Sequence, residues 1–135
     1  DEKIINKILS WMKKNKNDYT NTFIYLMDNN CCKNDIYNYE SFLNLKEEWK
    51  KRIQKNKQTA TNYIDIMKKN NPLVIPRNHI VEEAINNICK NNDYSSFNNL
   101  LKIIRDPFGD IKNIDYFQSP APLTYTENYK TYCGT

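Results

Sequence analysis

The chain has very little glycine and no hydrophobic stretch of membrane-spanning length. Its 135 residues include only two glycines, Gly109 and Gly134, too few for a glycine-rich loop that cradles the phosphates of a nucleotide. No apolar run approaches the roughly 18 residues that a transmembrane helix needs, and the N-terminus lacks the residue order of a signal peptide. We therefore expect a soluble, cytoplasmic protein with no membrane partner.

The cysteines also lack the spacing of a metal site. No CxxC pair occurs, so neither structural zinc nor any other metal ligand set is predicted. A bridge between the adjacent Cys31 and Cys32 would strain their peptide bond, which predicts two free thiols in a polar loop. Cys89 falls in a helical pattern and is expected to be a small core residue. Core packing cannot explain Cys133 near the end of the chain, so its reactivity is the expected reason for its presence.

Polar residues and tyrosine are abundant. The chain has 22 Asn, 20 Lys plus Arg and 10 Tyr, a bias that an AT-rich genome produces without functional selection. The sequence begins at Asp1 without an initiator Met, and a helical pattern is already running at Ile4, so we expect a fragment of a longer protein. A chain of this length suits one domain and buries about two-thirds of its unfolded surface.

Positive charge is concentrated in the first half of the chain. Residues 1–70 carry a net charge of +5, and residues 71–135 carry −1. Such a cluster is typical of a nucleic-acid face or of the solvated side of an amphipathic helix. Glu47 and Glu48 interrupt the cluster and favour the second interpretation, so no nucleic-acid partner is predicted. The clustered cations are Lys46, Lys50, Lys51, Arg52, Lys55 and Lys57.

Helical periodicity predicts an all-α bundle of about six helices over residues 1–106. The first is expected over 2–14 and the second after an N-cap at Asp18. A third begins at Tyr39 and is expected to break near Asn44. Trp49 should lie on its buried side, and its lysines should face outward. A fourth runs from an N-cap at Thr59 through residue 69.

Two further helices are predicted after a proline-containing stretch. Asn71-Pro72 ends the fourth helix, and the fifth begins at or just after Pro76, because proline fixes φ and cannot continue a preceding helix. The sixth is capped by Asp93 and closed before Pro107. Beyond residue 106 the helical pattern disappears, although aromatic residues remain frequent. We therefore expect an irregular Pro/Tyr-rich tail over 107–135 that extends across a partner surface.

Several sequence segments together resemble one known family. They are "DYTNTF", "KKRI", "MKKNNPLVIPRNHIVEEAI", "DYSSFNNLLKIIRDPF", "PAPLTYTENY" and the closing "YCGT". Spread over nearly the whole chain, they look like the C-terminal part of the selenoprotein O family of protein adenylyltransferases. The resemblance implies a parent protein with a kinase-like fold that binds ATP with Mg²⁺ or Mn²⁺ and transfers AMP to protein hydroxyls.

The resemblance also limits what this chain does by itself. The family's phosphate-binding, metal-binding and catalytic residues lie in the kinase-like part that precedes this region. It therefore implies no catalytic, cofactor-binding or metal residue here, and no activity of the fragment alone. The implied partners are the missing N-terminal kinase-like domain and the protein substrates of the parent. The most specific matching segment contains Asn71, Pro72, Arg77 and Asn78, which we interpret as a structural motif.

Cys133 occupies the position where family members carry a selenocysteine or a cysteine. The resemblance implies redox control of the parent through a bridge to a cysteine in the kinase-like region, and an incidental surface thiol is the alternative. Gly134 and Thr135 differ from the paired serines of some members.

Four other side chains have structural and functional interpretations. His79 lies at a helix start without a neighbouring nucleophile, which favours a structural role over catalysis. Arg77 either pins an extended segment to the following helix or faces the missing kinase-like domain. Trp11 and Trp49 are expected to be core or docking residues rather than platforms for nucleic-acid bases.

Three functions follow from these interpretations. The first is the regulatory and scaffolding end of an AMP-transferring enzyme. The second is a free-standing helical interaction module without catalytic activity, and the third is a basic RNA-binding bundle.

Overall fold

All regular elements in the described part of the chain are helical. The computed structural model describes residues 1–28, 31–32, 34–56, 62–109 and 113–129, and the predicted all-α class is confirmed. The chain forms two compact units, residues 1–73 (unit 1) and residues 74–135 (unit 2). This division falls inside the proline-containing stretch, whereas the sequence suggested a boundary after residue 106.

The described residues of unit 1 form four α-helices and one 3₁₀-helix. Helix α1 has the bounds predicted for the first helix, and Asp18 caps α2 as predicted, its side chain accepting a hydrogen bond from the Asn21 backbone N–H at 2.8 Å. Helix α3 is continuous, so the break expected near Asn44 is wrong: asparagine is a weak helix former but leaves the backbone ladder intact. Thr59 lies outside the described residues. The elements are α1 (Glu2–Lys14), α2 (Tyr19–Met27), the 3₁₀-helix (Asp35–Asn38), α3 (Glu40–Gln54) and α4 (Tyr63–Asn70).

An aromatic cluster occupies the core of unit 1. The Trp11 and Phe42 ring centroids are 4.7 Å apart, and Tyr25 stacks on Tyr37 at 4.1 Å. The Trp11 indole N–H donates to the Ser41 hydroxyl at 3.0 Å, which satisfies its polar atom while the ring is buried. Tilted and stacked aromatic pairs of this kind stabilise a core beyond the area that they bury. Trp11 is therefore a core residue, as predicted.

Lys46 contradicts the expectation that the lysines of α3 all face outward. Its side chain is only 8% exposed, and its ammonium lies 4.9 Å from the centroid of the Tyr25 ring. Burial, assisted by the nearby Lys50, lowers the pKa of Lys46. Lys46 lies one helical turn after the buried Phe42, so it shares the inward face of α3.

Unit 2 is built on a helical hairpin followed by two short helices. Helices α5 and α6 pack together, and the connection between them turns at Asn92, whose φ of 53° is left-handed. The N-cap of the second helix is Tyr94, so the cap predicted at Asp93 is wrong by one residue; the Asp93 carboxylate accepts from the Ser95 backbone N–H at 2.9 Å. The elements are α5 (Asn78–Asn91), α6 (Ser95–Ile104), α7 (Asp115–Gln118) and α8 (Leu123–Asn128).

The segment after Pro107 is not wholly extended, which corrects the sequence-based expectation. It contains α7 and α8, and both Ile114 and Gln118 are buried. Pro122 immediately precedes α8, a position that proline's fixed φ favours at a helix start. Helices of four and six residues are too short to produce a recognisable 3.6-residue repeat.

Candidate functional site: the Arg77 cleft and the tail

The Asn71–Asn78 motif begins where α4 ends. The backbone N–H of Asn71 donates to the Met67 carbonyl at 2.8 Å, and its side-chain amide lies 3.8 Å from the Met27 sulfur. Pro72 follows at once and, having no backbone N–H, cannot continue the helix. Residues 71–77 then form no regular element before α5 begins.

Arg77 and Asn78 form the start of α5. Arg77 has an extended backbone with φ of −84° and ψ of 130°, the conformation typical of a residue that precedes a helix. Its carbonyl oxygen accepts from the backbone N–H groups of Ile80 and Val81, both at 3.0 Å. The prediction that this helix begins at or just after Pro76 is confirmed, and the start of the helix fixes where the Arg77 side chain leaves the backbone.

A cleft of about 320 Å³ lies beside this helix start. One wall is formed by residues 75–79, and the other is formed by Ala121, Tyr125, Thr126 and Tyr129 of the segment after Pro107. We call it the Arg77 cleft, and we call the described residues 113–129 the tail. The tail therefore lies beside the protein's own Arg77 motif within unit 2.

Aromatic contacts hold the last described part of the tail against the helix start. The Tyr125 ring meets the His79 ring edge-on at a centroid distance of 5.8 Å and stacks on Tyr129 at 5.1 Å. Burial, followed by the nearby positive charge of Arg77, lowers the pKa of His79. The neutral imidazole is thereby favoured, and it serves here as an aromatic surface for Tyr125.

Two neighbouring glutamates of α5 lie near tyrosines of the tail, and one of them accepts a hydrogen bond. The Tyr116 hydroxyl donates to the Glu83 carboxylate at 2.6 Å, and burial together with this bond raises the pKa of Tyr116 to about 12. Burial and the adjacent Glu82 carboxylate likewise raise the pKa of Tyr125 to about 12. A phenol beside a carboxylate stays protonated because ionisation would place two negative charges together. The tail is thus attached to α5 by polar contacts as well as by ring packing.

The family model described as "Protein adenylyltransferase SelO" matches residues 1–105, which include the Arg77 motif, α5 and α6. The chain belongs to the SelO protein adenylyltransferase family. This finding confirms the resemblance drawn from the sequence.

Curated relatives carry the related description "Protein nucleotidyltransferase YdiU". The chain is 42% identical over 135 residues to one from Clostridium botulinum strain Eklund 17B, and 40% identical over 139 residues to one from Pelagibacter ubique strain HTCC1062. It is 34% identical over 135 residues to one from Nitrosococcus oceani. All of this chain is covered in each comparison, but it spans only 27 to 28% of the relatives' length. No solved structure matches the chain.

The cysteines of this SelO family member fall in different environments. Cys31 and Cys32 form no disulfide and are partly exposed, as the sequence predicted. Cys89 also forms no disulfide but is exposed, so its expected role as a core residue is wrong: it lies one turn after Ile85, on a side of α5 that the helix leaves open. Cys133, the family's candidate redox position, lies outside the described residues.

Two cations of α3 pair with acidic groups. Arg52 pairs with Asp1, which precedes α1, its Nη2 lying 2.9 Å from a carboxylate oxygen, and Lys50 pairs with Glu47 at 3.1 Å. Exposed pairs of this kind contribute little stability, but they give the cluster the mixed charge of a solvated helix surface. Lys57 lies outside the described residues.

Among the residues that the structure describes, no group of three or more His, Cys, Asp or Glu side chains could hold a metal ion. Within the same residues, no helix combines the length and apolar character that a membrane crossing requires. The side chains that line the cleft carry one guanidinium, one imidazole, hydroxyl groups and aromatic rings.

Sequence reasoning missed the glutamate–tyrosine contacts between α5 and the tail. In the sequence alone, Glu82 and Glu83 indicate only favourable charges near a helix N-terminus. The available signal was the frequency of tyrosine in an otherwise irregular segment, since buried phenols need hydrogen-bond partners. Nothing in the local pattern identified which carboxylates would receive them.

Proposed function

We propose that this chain is the C-terminal helical part of an enzyme that transfers AMP from ATP to protein hydroxyls, with a scaffolding and regulatory role. The observation that carries the proposal is the match to the SelO protein adenylyltransferase family over residues 1–105. The identity of 42% along the whole chain to a longer protein nucleotidyltransferase supports it.

The chemistry belongs to the kinase-like part of the parent. A hydroxyl oxygen of the protein substrate attacks the α-phosphorus of ATP, the bond to the bridging oxygen breaks, and pyrophosphate leaves while the hydroxyl proton passes to a base. Mg²⁺ or Mn²⁺ would offset the charge of the phosphates. We propose that the parent works in the cytoplasm, where ATP and reduced thiols are both abundant.

We propose that this chain contributes a folded support, the tail, and the residues after the tail, which include Cys133. The contacts of Tyr116 and Tyr125 with α5 fix the position from which the last residues depart. Cys133 follows Tyr129 by four residues, and an extended chain spans at most about 3.6 Å per residue. While the tail stays attached, the Cys133 thiol can therefore react only with a partner thiol within about 15 to 20 Å of Tyr129.

The redox part of the proposal is a thiol–disulfide exchange. Cys133 and a cysteine of the kinase-like part would each lose a hydrogen atom and form one S–S bond, while an oxidant such as glutathione disulfide is reduced to two thiols. In the entropic description, a disulfide that closes a loop of about 100 residues stabilises the folded state by about 4 to 5 kcal/mol, because it restricts the unfolded chain. The bridge would hold the tail in one place relative to the catalytic part.

The test uses the complete parent protein. AMP incorporation into a protein substrate is measured with ATP and Mg²⁺ or Mn²⁺, in buffers poised by glutathione disulfide or by reduced glutathione. We expect oxidation to suppress the wild type and to leave Cys133→Ala active, with Cys89→Ala as the control because Cys89 is another cysteine of unit 2.

Two results would count against the proposal in different ways. Equal suppression of the wild type and of Cys133→Ala removes Cys133 as the switch but leaves AMP transfer in place. Absence of AMP transfer under every condition, or an open reading frame that starts close to Asp1, removes the enzymatic role and favours the free-standing interaction module.

A further inference from the structure

Helices α5 and α6 leave much of their apolar surface uncovered. Of the five apolar residues of α6, only Leu100 is buried, and Phe97 is 40% exposed. On α5 only Ile80 and Ala84 are buried, while Ile85 is 51% exposed. Isolated exposed apolar residues are ordinary, but here they recur on both helices of one hairpin.

The apolar residues that are exposed or only half-buried follow helical spacing and form two stripes. On α5, residues three, four and seven positions apart share one side of a helix, and the same spacing operates on α6. None of the six side chains in these stripes is buried. The stripes consist of Val81, Ile85 and Ile88 on α5, and of Phe97, Leu101 and Ile104 on α6.

The two stripes lie on the same side of the hairpin. The Asn87 amide donates to the Ser96 hydroxyl at 3.1 Å, which identifies the sides on which α5 and α6 meet. From these sides, the two stripes are displaced in the same rotational sense along their own chain directions. Because the helices run antiparallel, both displacements lead to one face. We call it the hairpin face.

The hydrogen bond and the ring contact between the tail and α5 lie away from the hairpin face. These contacts are made through His79 and Glu83, which the helical repeat places on the other side of α5 from the stripe containing Ile85. The tail and the hairpin face therefore use separate sides of the helix, and a second partner can occupy the face while the tail stays attached.

We propose that the hairpin face is the surface on which this chain packs against the kinase-like remainder of its own polypeptide. The inference rests on the proposed function for the existence of that remainder. Curated relatives that match this chain along its whole length are nearly four times as long. A parent of that length supplies a large additional surface. A contiguous apolar face of two helices is typical of a permanent interface within one protein.

The face also has the composition of an interface centre. Phe97 supplies a large aromatic side chain, and the branched side chains around it are apolar and carry no hydrogen-bonding groups. Aromatic residues are enriched at the buried centre of interfaces, and charged residues are depleted there. Arg105, the residue that follows α6, is exposed next to Ile104 at the end of the stripe, so an occupant with an acidic group at its rim fits best.

The decisive experiment measures accessibility in the complete parent. Ile85→Cys and the matched control Asn86→Cys, one residue along the same helix and exposed, are treated with N-ethylmaleimide, and labelling is followed by peptide mass spectrometry. We expect labelling at position 85 to be at least about tenfold slower than at position 86, because a packed interface admits the reagent only during local opening. Both sites should label fully after denaturation.

Native Cys89 provides a second readout that needs no substitution. It is exposed in this chain and lies one turn beyond Ile85, at the edge of the hairpin face. In the wild-type parent we expect its labelling to be slowed as well. This measurement keeps the inference testable if Ile85→Cys fails to fold.

Each remaining outcome has a defined meaning. Equal labelling rates at positions 85 and 86, together with rapid labelling of Cys89, overturn the inference. The parent is also labelled after dilution to a concentration at which light scattering shows a monomer. If positions 85 and 89 lose their protection under that condition, the occupant is a second copy of the protein, and the inference is overturned. A parent that shows protection at low concentration but transfers no AMP preserves the docking face and removes the proposed function.

Discussion

Units 1 and 2 use their apolar residues differently. Unit 1 closes Trp11, Tyr37 and Phe42 into one aromatic core, whereas unit 2 leaves the stripes of the hairpin face uncovered and attaches its tail through tyrosine–glutamate contacts. Unit 1 therefore obtains much of its stability from its own packing. Unit 2 depends more on individual polar contacts and, by our inference, on a surface supplied by the parent.

The largest expected effect is the loss of an aromatic ring from unit 1. Phe42→Ala should lower the free energy of unfolding by about 3 to 5 kcal/mol, the usual cost of removing a fully buried phenylalanine. Urea unfolding followed by tryptophan fluorescence measures this directly, because both tryptophans lie in unit 1. Leu43→Ala is the control: Leu43 is 46% exposed, and its loss should cost below about 1 kcal/mol. Equal losses would remove the distinction between core and surface on α3.

A smaller effect is expected where the tail meets α5. Tyr116→Phe removes the hydrogen bond to Glu83 and should cost about 0.5 to 1 kcal/mol. Because the pKa of Tyr116 is raised from 10.0 to about 12, its contribution is complete below pH 10.0 and is lost as the pH rises through about 12. Far-ultraviolet circular dichroism at increasing pH should show this loss in the wild type and less of it in the variant.

The matched control for this prediction is Tyr94→Phe, since Tyr94 is exposed in the same unit. The tryptophan fluorescence of unit 1 should change less than the circular dichroism signal, because Tyr116 lies in unit 2. If Tyr116→Phe shifts the tryptophan signal as much as the circular dichroism signal, the two units unfold as one cooperative structure, and their difference in packing does not separate them energetically.

The smallest effect is expected at His79. Burial lowers its pKa below 6.5, so the unfolded chain binds the proton more readily, and unit 2 should lose stability as the pH falls through 6.5. His79→Gln cannot take up this proton and should show a weaker loss. Thermal unfolding at about pH 7.5 and about pH 5.5 tests the difference between wild type and variant. Identical pH dependence in the two proteins would show that His79 titrates as it does in the unfolded chain.

Much of the helical architecture could be predicted from local patterns. The bounds of α1 followed from regularly spaced apolar residues, and the cap at Asp18 followed from its position before an apolar repeat. Lys46 was placed wrongly because residue type was given more weight than its position on the inward face of α3. Helices α7 and α8 were missed because their length is below that of the periodic signal.

The candidate site was less predictable because its contacts join distant parts of the chain. Arg77 and Asn78 were identified as a helix start, and this is a local property. The contact between Tyr116 and Glu83 spans 33 residues, so no local pattern pairs them. The docking role of the hairpin face, likewise, could not be assigned from an apolar stripe alone, because the same stripe would be produced by a core helix.

Residues other than glycine adopt the left-handed backbone conformation at several turns of this chain. Asn92 turns the chain between α5 and α6 with a φ of 53°, and Asn113 adopts a φ of 59°. Asparagine accepts this backbone region more readily than other residues with a Cβ. Its codons are rich in adenine, whereas every glycine codon begins with two guanines. A mutational bias toward A and T can therefore replace glycine by asparagine at such turns while the left-handed backbone conformation is kept.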